Sequence, residues 1–351
     1  MLLTEDPPVV PLAPAEYPEP CVVIEKVLII IISGEPYSIF FEILFKVYKS
    51  NFLKNYKYPI IIIGSKKIME NQMRLMKYDI KINLINKDKI LSSKILKKKI
   101  NLINVDSKLK KTFSKITSKS NEYIKKCFDI GLELMNKKIG YGIINGPISK
   151  KHFLKKKYSG ITEYISNKIG MGGKEVMLIY NKKLSVVPIT THIPLKNVTK
   201  QISINKIVKK VETINNFYIE KMSKKPRFAI TGVNPHCETT SFFSEEKKII
   251  IPSINKLKKK KIKIFGPISA DTAFLKSNIK KYDVIIGMYH DQVLTPIKAI
   301  YEFDAINITT GLNFIRISPD HGTNNEMLGK NLSDELSLKK SLSFFNTINE
   351  S

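Results

Sequence analysis

The sequence predicts an α/β fold with mostly parallel sheets, and three observations lead to this prediction. Short runs rich in β-branched residues alternate with longer amphipathic segments along the 351 residues. Several of the short runs, such as residues 27–32, are apolar throughout, as expected of strands that helices cover on both faces. One amphipathic segment, residues 205–222, repeats its apolar residues with the helical period, at Ile207, Val208, Val211, Ile214 and Phe217.

The same patterns assign the elements in chain order. Strands are predicted at residues 27–32, 58–63, 141–144, 176–180, 185–189, 228–231, 262–265, 284–288 and 305–309. Helices are predicted at residues 40–48, 120–136, 162–168, 205–222 and 245–258. The lysine-rich segment 82–119 is weakly patterned and predicts a surface excursion or an edge hairpin. Residues 1–24 lack the basic start and apolar stretch of a signal peptide, so we interpret them as a loose leader outside the fold.

Composition argues against several classes of protein. The net charge of +28 comes almost entirely from lysine, because the chain has only three arginines, Arg74, Arg227 and Arg316. Proteins that read nucleic acids rely on arginine forks and interleaved aromatic rings, so we interpret the charge as a solvated surface that favours an anionic substrate. We expect no nucleic-acid partner. No apolar run is long enough for a membrane span, and three cysteines without paired spacing fit a reducing, cytoplasmic compartment.

Three of the five histidines follow predicted buried strands: His192, His236 and His290. Ligands of parallel α/β sheets bind beyond the carboxyl ends of the strands, so three imidazoles at one such edge predict a catalytic site for a divalent metal. For each histidine alone, a hydrogen-bonded structural role is the alternative. Asp291 directly follows His290 and is a candidate for a base or for a carboxylate that orients the imidazole.

Other polar residues lie in turns after predicted strands. Asp271, in Gly-Pro-Ile-Ser-Ala-Asp-Thr at 266–272, is a candidate for catalysis or for a helix cap. The Asn-Gly-Pro-Ile-Ser-Lys segment at 145–150 is either a ligand loop or an ordinary turn. Arg316 stands in apolar surroundings, where a buried charge needs an anionic partner, either a substrate or a salt bridge. The Asp-His-Gly-Thr turn at 320–323 permits close backbone approach to a ligand.

Together and in this order, the motifs resemble the 4-hydroxythreonine-4-phosphate dehydrogenase family. The likeness covers about residues 27–330 and includes Thr-His-Ile-Pro-Leu at 191–195, Gly-Val-Asn-Pro-His at 232–236, and the segments 288–298 and 307–323. It implies a two-lobed fold like that of isocitrate and isopropylmalate dehydrogenases, with the active site in the cleft between the lobes. It also implies a first, cofactor-side lobe of residues 25–150 plus 304–351, and a second lobe of residues 151–303 for metal, substrate and dimerisation.

The resemblance further implies a reaction. Members of the family oxidise 4-phosphooxy-L-threonine at its 3-hydroxyl with NAD or NADP, and decarboxylation then gives 3-amino-2-oxopropyl phosphate for pyridoxal phosphate synthesis. By this likeness, a divalent cation (zinc, magnesium or cobalt) is held by His192, His236 and His290, pooled from the two subunits of a homodimer. The resemblance implies substrate contacts from Thr162, Lys298, Asn307 and Arg316, catalytic roles for Asp271, Asp291 and Lys298, and cofactor contacts from His321, Gly322 and Thr323. No Gly-x-Gly-x-x-Gly fingerprint is present, so a Rossmann cofactor site is not expected.

Three departures from the family pattern bear on specificity. Ile161 replaces the histidine of the family's Gly-His-Thr-Glu motif, the glycine-rich N-terminal motif becomes the bulkier segment 34–42, and the segment 324–329 also differs. Three alternatives therefore stay open. One is a dehydrogenase of a phosphorylated sugar acid such as threonate or erythronate phosphate, another is a metal-dependent lyase or hydrolase without the cofactor, and the third is a basic nucleic-acid-binding protein with a relict fold.

Overall fold

The computed structural model describes residues 28–155, 157–237, 244–302 and 304–348, so the predicted leader at 1–24 lies outside the described residues. The strands are β1 Leu28–Ile32, β2 Ile60–Gly64, β3 Ile82–Leu84, β4 Ile100–Asn104, β5 Gly140–Asn145, β6 Val176–Tyr180, β7 Ser185–Thr190, β8 Phe228–Thr231, β9 Ile264–Ile268, β10 Val284–Tyr289, β11 Ile306–Thr310 and β12 Ile315–Ser318. The helices are α1 Phe40–Lys49, α2 Lys66–Leu75, α3 Asn121–Asn136, α4 Ile161–Lys168, α5 Val198–Gln201, α6 Ile204–Met222, α7 Ile251–Lys259, α8 Ala270–Ala273, α9 Lys276–Ile279, α10 His290–Tyr301 and α11 Leu336–Phe345. Within these described ranges, no helix is both long and apolar enough to cross a membrane.

The described strands form one twelve-stranded sheet in the order β3-β4-β2-β1-β5-β12-β11-β6-β7-β10-β8-β9. The first six strands run parallel to one another, and so do the last four. Antiparallel pairing of β11 with β12, of β6 with β11 and of β7 with β6 joins the two parallel blocks. The two blocks therefore run in opposite senses. The α/β class with mostly parallel sheets is confirmed.

The core explains why the central strands are apolar throughout. All five residues of β1 are buried, and they alternate between two clusters. Ile29 and Ile31 pack in the cluster that contains α1, while Ile30 and Ile32 face the cluster that contains α3. On α3, Gly131 lets the helix approach the sheet closely, since a Cβ atom there would lie 2.5 Å from Ile32 Cδ1. A strand covered on both faces leaves no position for a polar side chain.

The nine predicted strands are all present within a few residues of their predicted bounds. The prediction missed β12 and the two strands of segment 82–119, namely β3 and β4. β3 and β4 do lie at the edge of the sheet. They pair in parallel, with Ile82 opposite Ile100, so the hairpin alternative is wrong. The helix predicted at 245–258 is α-helical only from Ile251, because Glu246–Ile250 forms a wider π-helical turn.

Candidate active site

The three candidate metal ligands follow three neighbouring parallel strands. His192 lies two residues beyond β7, His290 begins α10 directly after β10, and His236 lies in a short turn beyond β8. The order β7-β10-β8 in the sheet places these strand ends side by side. The histidines therefore lie at the same sheet edge, as the sequence pattern predicted.

Two of the three rings are close to one another. The ring centroids of His192 and His290 are 6.0 Å apart, and two imidazoles bound to one ion at about 2.0–2.1 Å have centroids roughly 5–6 Å apart. His236 instead lies beside Ser269 and Asp271, with its Nδ1 atom 3.5 Å from Ser269 Oγ and 3.6 Å from the Asp271 carboxylate. Across the described ranges of this single chain, no group of three or more His, Cys, Asp or Glu side chains comes close enough to hold an ion.

Each of the three imidazoles faces a carboxylate with its Nδ1 atom. The distances are 3.9 Å from His192 to Glu163, 3.6 Å from His236 to Asp271, and 2.6 Å from His290 to Asp291. A carboxylate at Nδ1 favours the tautomer that carries its proton there and makes Nε2 the metal donor, although at His192 a bound ion would have to displace the Lys150 ammonium from Nε2. The donor chemistry of the three histidines therefore fits a divalent cation.

Backbone conformation also distinguishes two of these histidines. His192 and His236 have φ angles of 47° and 56°, in the left-handed region that side chains other than glycine seldom adopt. Histidine tolerates this region better than most residues, and such strained positions concentrate at functional sites. After both strands, the imidazole is oriented by a backbone conformation that is unfavourable in free energy.

Asp271 and Asp291 lie beside histidines rather than alone. Asp271 is inside the short helix α8, whose N-cap position belongs to Ser269, so the helix-cap alternative for Asp271 is wrong. Its carboxylate accepts a hydrogen bond from Ser269. The carboxylate of Asp291 is exposed apart from its contact with His290.

Arg316 is the largest fully buried side chain of the described residues. Its Nε atom donates to Asn145 at 2.6 Å, and its Nη1 atom donates to Thr162 at 3.0 Å and to Thr309 at 2.9 Å. Burial lowers the pKa of Arg316 to about 10, which leaves it charged at neutral pH. The Nη2 atom is buried and has no hydrogen-bond partner within the described ranges. The nearby Glu163 carboxylate favours the guanidinium charge, and the free Nη2 group can bind a further anion.

Of the other predicted substrate residues, one contacts Arg316 and two lie elsewhere on or beside strands β11 and β12. Thr162, at the start of α4, contacts it directly. Asn307 lies on β11, the antiparallel partner of β12, and its Oδ1 atom is buried without a hydrogen-bond partner in the described part of the chain. Lys298 donates at 2.7 Å to Asp320, which follows β12. Thr162 and Arg316 therefore lie together, while Lys298 is paired with a carboxylate near the end of the same strand.

The predicted cofactor turn packs against the start of α1. The His321 ring stacks on Phe40 with centroids 5.8 Å apart, and the carbonyl of Thr323 accepts the Ile39 N–H. Burial lowers the pKa of His321, so its ring is neutral at pH 7. The His321 Nδ1 atom lies 3.1 Å from the carbonyl of Gly322, and its buried Nε2 atom lacks a partner among the described residues. That free acceptor fits a hydroxyl or amino group of a nucleotide.

Sequence reasoning did not assign two residues that the structure places beside His192. Lys150, from the loop after β5, has its Nζ atom 3.5 Å from His192 Nε2, and Glu163 from α4 faces Nδ1. Both belong to noted motifs, Asn-Gly-Pro-Ile-Ser-Lys and Gly-Ile-Thr-Glu. The signal was present in the sequence, but the motifs alone did not indicate that either residue meets a histidine.

Comparisons with known proteins identify the family. The pattern of the family described as "Pyridoxal phosphate biosynthetic protein PdxA" matches residues 55–344. A 4-hydroxythreonine-4-phosphate dehydrogenase of Sulfurihydrogenibium sp. (strain YO3AOP1) is 38% identical over 308 residues, covering 86% of this chain and 92% of the relative. A D-threonate 4-phosphate dehydrogenase of Pectobacterium atrosepticum is 35% identical over 186 residues, covering 52% of this chain and 57% of the relative.

The fold gives the same result. The crystal structure of a 4-hydroxythreonine-4-phosphate dehydrogenase from Klebsiella pneumoniae superimposes with a TM-score of 0.78 at 25% identity, over 92% of this chain and 99% of the other. The family pattern spans most of the chain. The relatives named above are dehydrogenases, that is, oxidoreductases. This chain therefore belongs to the pyridoxal phosphate biosynthetic protein PdxA family and to its oxidoreductases.

Proposed function

We propose that this chain oxidises 4-phosphooxy-L-threonine at its 3-hydroxyl with NAD or NADP and a divalent cation, and that decarboxylation then gives 3-amino-2-oxopropyl phosphate. The observation that carries the proposal is the buried guanidinium of Arg316, whose Nη2 atom lacks a partner among the described residues beside Thr162. A phosphate group is an anion that this free Nη2 group can bind. The relative from Sulfurihydrogenibium, named for this substrate, covers most of the chain.

We assign each protein group a role from its position. Asp271 or Asp291 accepts the hydroxyl proton, since each carboxylate lies beside a candidate metal ligand. Arg316, Thr162, Asn307 and Lys298 bind the substrate, and Lys298 exchanges Asp320 for the phosphate. The cation, held by His192, His236 and His290, would acidify the hydroxyl, and NAD(P) would take up the hydride from C3. His321, Gly322 and Thr323 hold the nucleotide.

We infer that the site lies between two lobes and two subunits. The proposed first lobe, residues 25–150 plus 304–351, includes β1 to β5, β11 and β12, and the proposed second lobe, residues 151–303, includes β6 to β10. His192 and His290 form a close pair, but the described part of one chain does not complete a three-residue set. A homodimer supplies the missing ligand from its second subunit, as in other two-fold assemblies with shared sites.

A second candidate substrate is a phosphorylated sugar acid. Ile161 begins α4, next to Thr162, and packs at the edge of an apolar cluster where the family pattern has histidine. The loss of that polar group favours a pocket that has been altered for another ligand. The relative from Pectobacterium is named for D-threonate 4-phosphate, a substrate of this class.

A substrate panel tests both candidates. Metal-depleted protein is compared with protein restored with Zn²⁺, Mg²⁺ or Co²⁺, and reduced nicotinamide and carbon dioxide are measured with 4-phosphooxy-L-threonine, threonate 4-phosphate and erythronate 4-phosphate. We expect turnover of 4-phosphooxy-L-threonine only after metal is restored. Turnover of a sugar acid alone would transfer the assignment to the second candidate, and no reduced nicotinamide with any substrate would remove the dehydrogenase assignment.

A further inference from the structure

A cavity of about 210 Å³ lies directly beside His192. Thr162 and Glu163 of α4 line it together with His192, so it is continuous with the candidate active site. On its other sides it is bounded by Lys206 and Lys210 of α6 and by Glu175, the residue before β6, among others. None of Glu175, Lys206 and Lys210 was singled out by the sequence motifs.

The charges around this cavity are not paired with one another. Glu163 and Glu175 each have a buried carboxylate oxygen, Oε2, without a hydrogen-bond partner in the described ranges. Among the described residues, the ammonium of Lys210 has one hydrogen-bond acceptor, the carbonyl of Pro188 at the long distance of 3.5 Å, and that of Lys206 donates to the carbonyl of Gln201 at 3.2 Å. Burial lowers the pKa of both lysines. Two carboxylates and two ammonium groups thus share one partly enclosed space.

Such an arrangement costs free energy when nothing fills it, because Glu175 and Lys210 are partly desolvated and, among the described residues, form no ion pair at contact distance. Carboxylates and ammonium groups both line the cavity, so it offers partners to a cationic and to an anionic group at the same time. It is complementary to a zwitterion, whose ammonium group is attracted to the glutamates and whose carboxylate is attracted to the lysines. An α-amino acid has these two groups on one carbon atom.

We propose that this cavity binds the α-ammonium and α-carboxylate end of an amino-acid substrate and thereby selects it over sugar acids, which carry a hydroxyl in place of the ammonium. The inference rests on the proposed function, because it places the amino-acid end beside His192 and leaves the phosphate to Arg316. Glu175 then recognises the ammonium group, while Lys210 recognises a carboxylate that both classes of substrate share.

The two variants Glu175→Gln and Lys210→Met separate these roles. Calorimetric titration without nicotinamide measures the binding of 4-phosphooxy-L-threonine and of threonate 4-phosphate to the metal-loaded full chain. We expect Glu175→Gln to weaken binding of the amino acid by about tenfold or more and to weaken threonate 4-phosphate much less, since only the amino acid loses an ion pair while the sugar-acid hydroxyl can still donate to the amide oxygen. Lys210→Met should weaken both ligands. Lys209→Met, at an exposed neighbour on the same helix, is the matched control and should change neither.

Several outcomes would overturn the assignment. They are equal effects of Glu175→Gln on the two ligands, unchanged binding in Lys210→Met, and failure of the wild-type chain to bind the amino acid. Thermal melts establish that each variant folds, and Lys210→Met decides the question if Glu175→Gln does not. Because binding is measured apart from turnover, a chain that binds the amino acid but never reduces nicotinamide would contradict the proposed function and not this inference.

Discussion

Arg316 carries its charge in the middle of a sheet strand, where three protein acceptors hold it and the two N–H donors of Nη2 have no partner among the described residues. Lysine keeps the charge but has no planar fork, so Arg316→Lys cannot reproduce the contacts with Asn145, Thr162 and Thr309. We expect the free energy of unfolding to fall by about 2–4 kcal/mol. We also expect binding of 4-phosphooxy-L-threonine to weaken on the order of 10–100-fold.

Urea denaturation and calorimetric titration measure these two effects. Arg227→Lys is the control, because Arg227 is exposed and contacts Asp283 at the surface, where an ion pair contributes at most about 1 kcal/mol. If Arg316→Lys and Arg227→Lys lost the same free energy of unfolding, the buried contacts of Arg316 would contribute no more to stability than a surface ion pair. Unchanged substrate binding in Arg316→Lys would remove Arg316 from the substrate site.

Lys210 provides a test of charge burial through pH. Burial lowers its pKa from 10.5 to about 8 in the folded chain. Below pH 8 both the folded and the unfolded chain bind this proton; between about 8 and 10.5 only the unfolded chain does, so wild-type stability rises with pH in that window. Lys210→Met lacks this rise. At pH 7 we expect the variant to be more stable by about 1 kcal/mol, since the desolvated charge is gone.

The measurement is the difference in unfolding free energy between Lys210→Met and wild type from pH 7 to pH 10. That difference should be largest below pH 8 and should decrease as the pH rises. A difference that is constant with pH would mean that the Lys210 ammonium is solvated, and it would weaken the argument for the charged cavity. Lys209→Met again serves as the exposed control.

Among the elements, the turn after β8 depends on one carboxylate. Glu246 is buried at the start of the π-helical turn before α7. It accepts the N–H groups of Val233 and Asn234 at 2.8 and 2.9 Å, and the Asn234 side chain at 2.8 Å. These contacts fix the segment that leads to His236. Although burial opposes it, the hydrogen bonds from Asn234 and Val233 lower the pKa of Glu246.

Glu246→Gln should therefore destabilise the chain by about 1–3 kcal/mol at pH 7, because an amide cannot accept every one of these donors. Affinity for Co²⁺, followed by its absorption spectrum, should fall by about tenfold as His236 loses its support. A carboxyl group with a lowered pKa stabilises the fold above pH 4.5 and loses this effect as the pH falls through the folded value, so the stability difference should shrink in acid. Glu220→Gln, on the exposed face of α6, is the control; equal behaviour of the two variants would contradict the role of Glu246.

Comparison of elements explains which parts of the fold were predictable. Central strands such as β1 and β10 are apolar because both faces are covered, and that pattern is visible in the sequence. β12 has four residues with an arginine among them, and β3 is a half-exposed edge strand of three residues. Both strands owe their pairing to tertiary contacts, so local pattern does not reveal them.

The candidate site shows the same division. Histidines after parallel strands were predictable, since one parallel block brings its carboxyl ends to one edge. The approach of Lys150 and Glu163 to His192 was not, because it depends on how segments from either side of the antiparallel junction meet. Unpaired groups such as Arg316 Nη2 or Glu175 Oε2 are defined only by what surrounds them, and a sequence does not contain that information.

For the whole molecule, the decisive question is which subunit contributes each histidine. One described chain brings His192 and His290 within 6.0 Å, and His236 lies in its own contact with Asp271. If one metal site combines histidines from two subunits, then two inactive variants with lesions on opposite sides of the interface complement each other. A heterodimer of such variants contains one site with every ligand intact and one site with two lesions.

We therefore expect recovery of activity when His192→Ala is unfolded, mixed with an equal amount of either His236→Ala or His290→Ala, and refolded. Random pairing makes half of the dimers mixed, and each mixed dimer has one intact site of two, so about a quarter of the wild-type activity should return in the pair that is split between subunits. The other pair should stay inactive. When both mutated ligands of a site come from the same subunit, each site of the mixed dimer lacks one of them. Each variant refolded alone controls for residual activity. Inactivity of both mixtures, with dimers present by sedimentation, would mean that a single subunit holds all three ligands and rearranges to bring His236 to the other two.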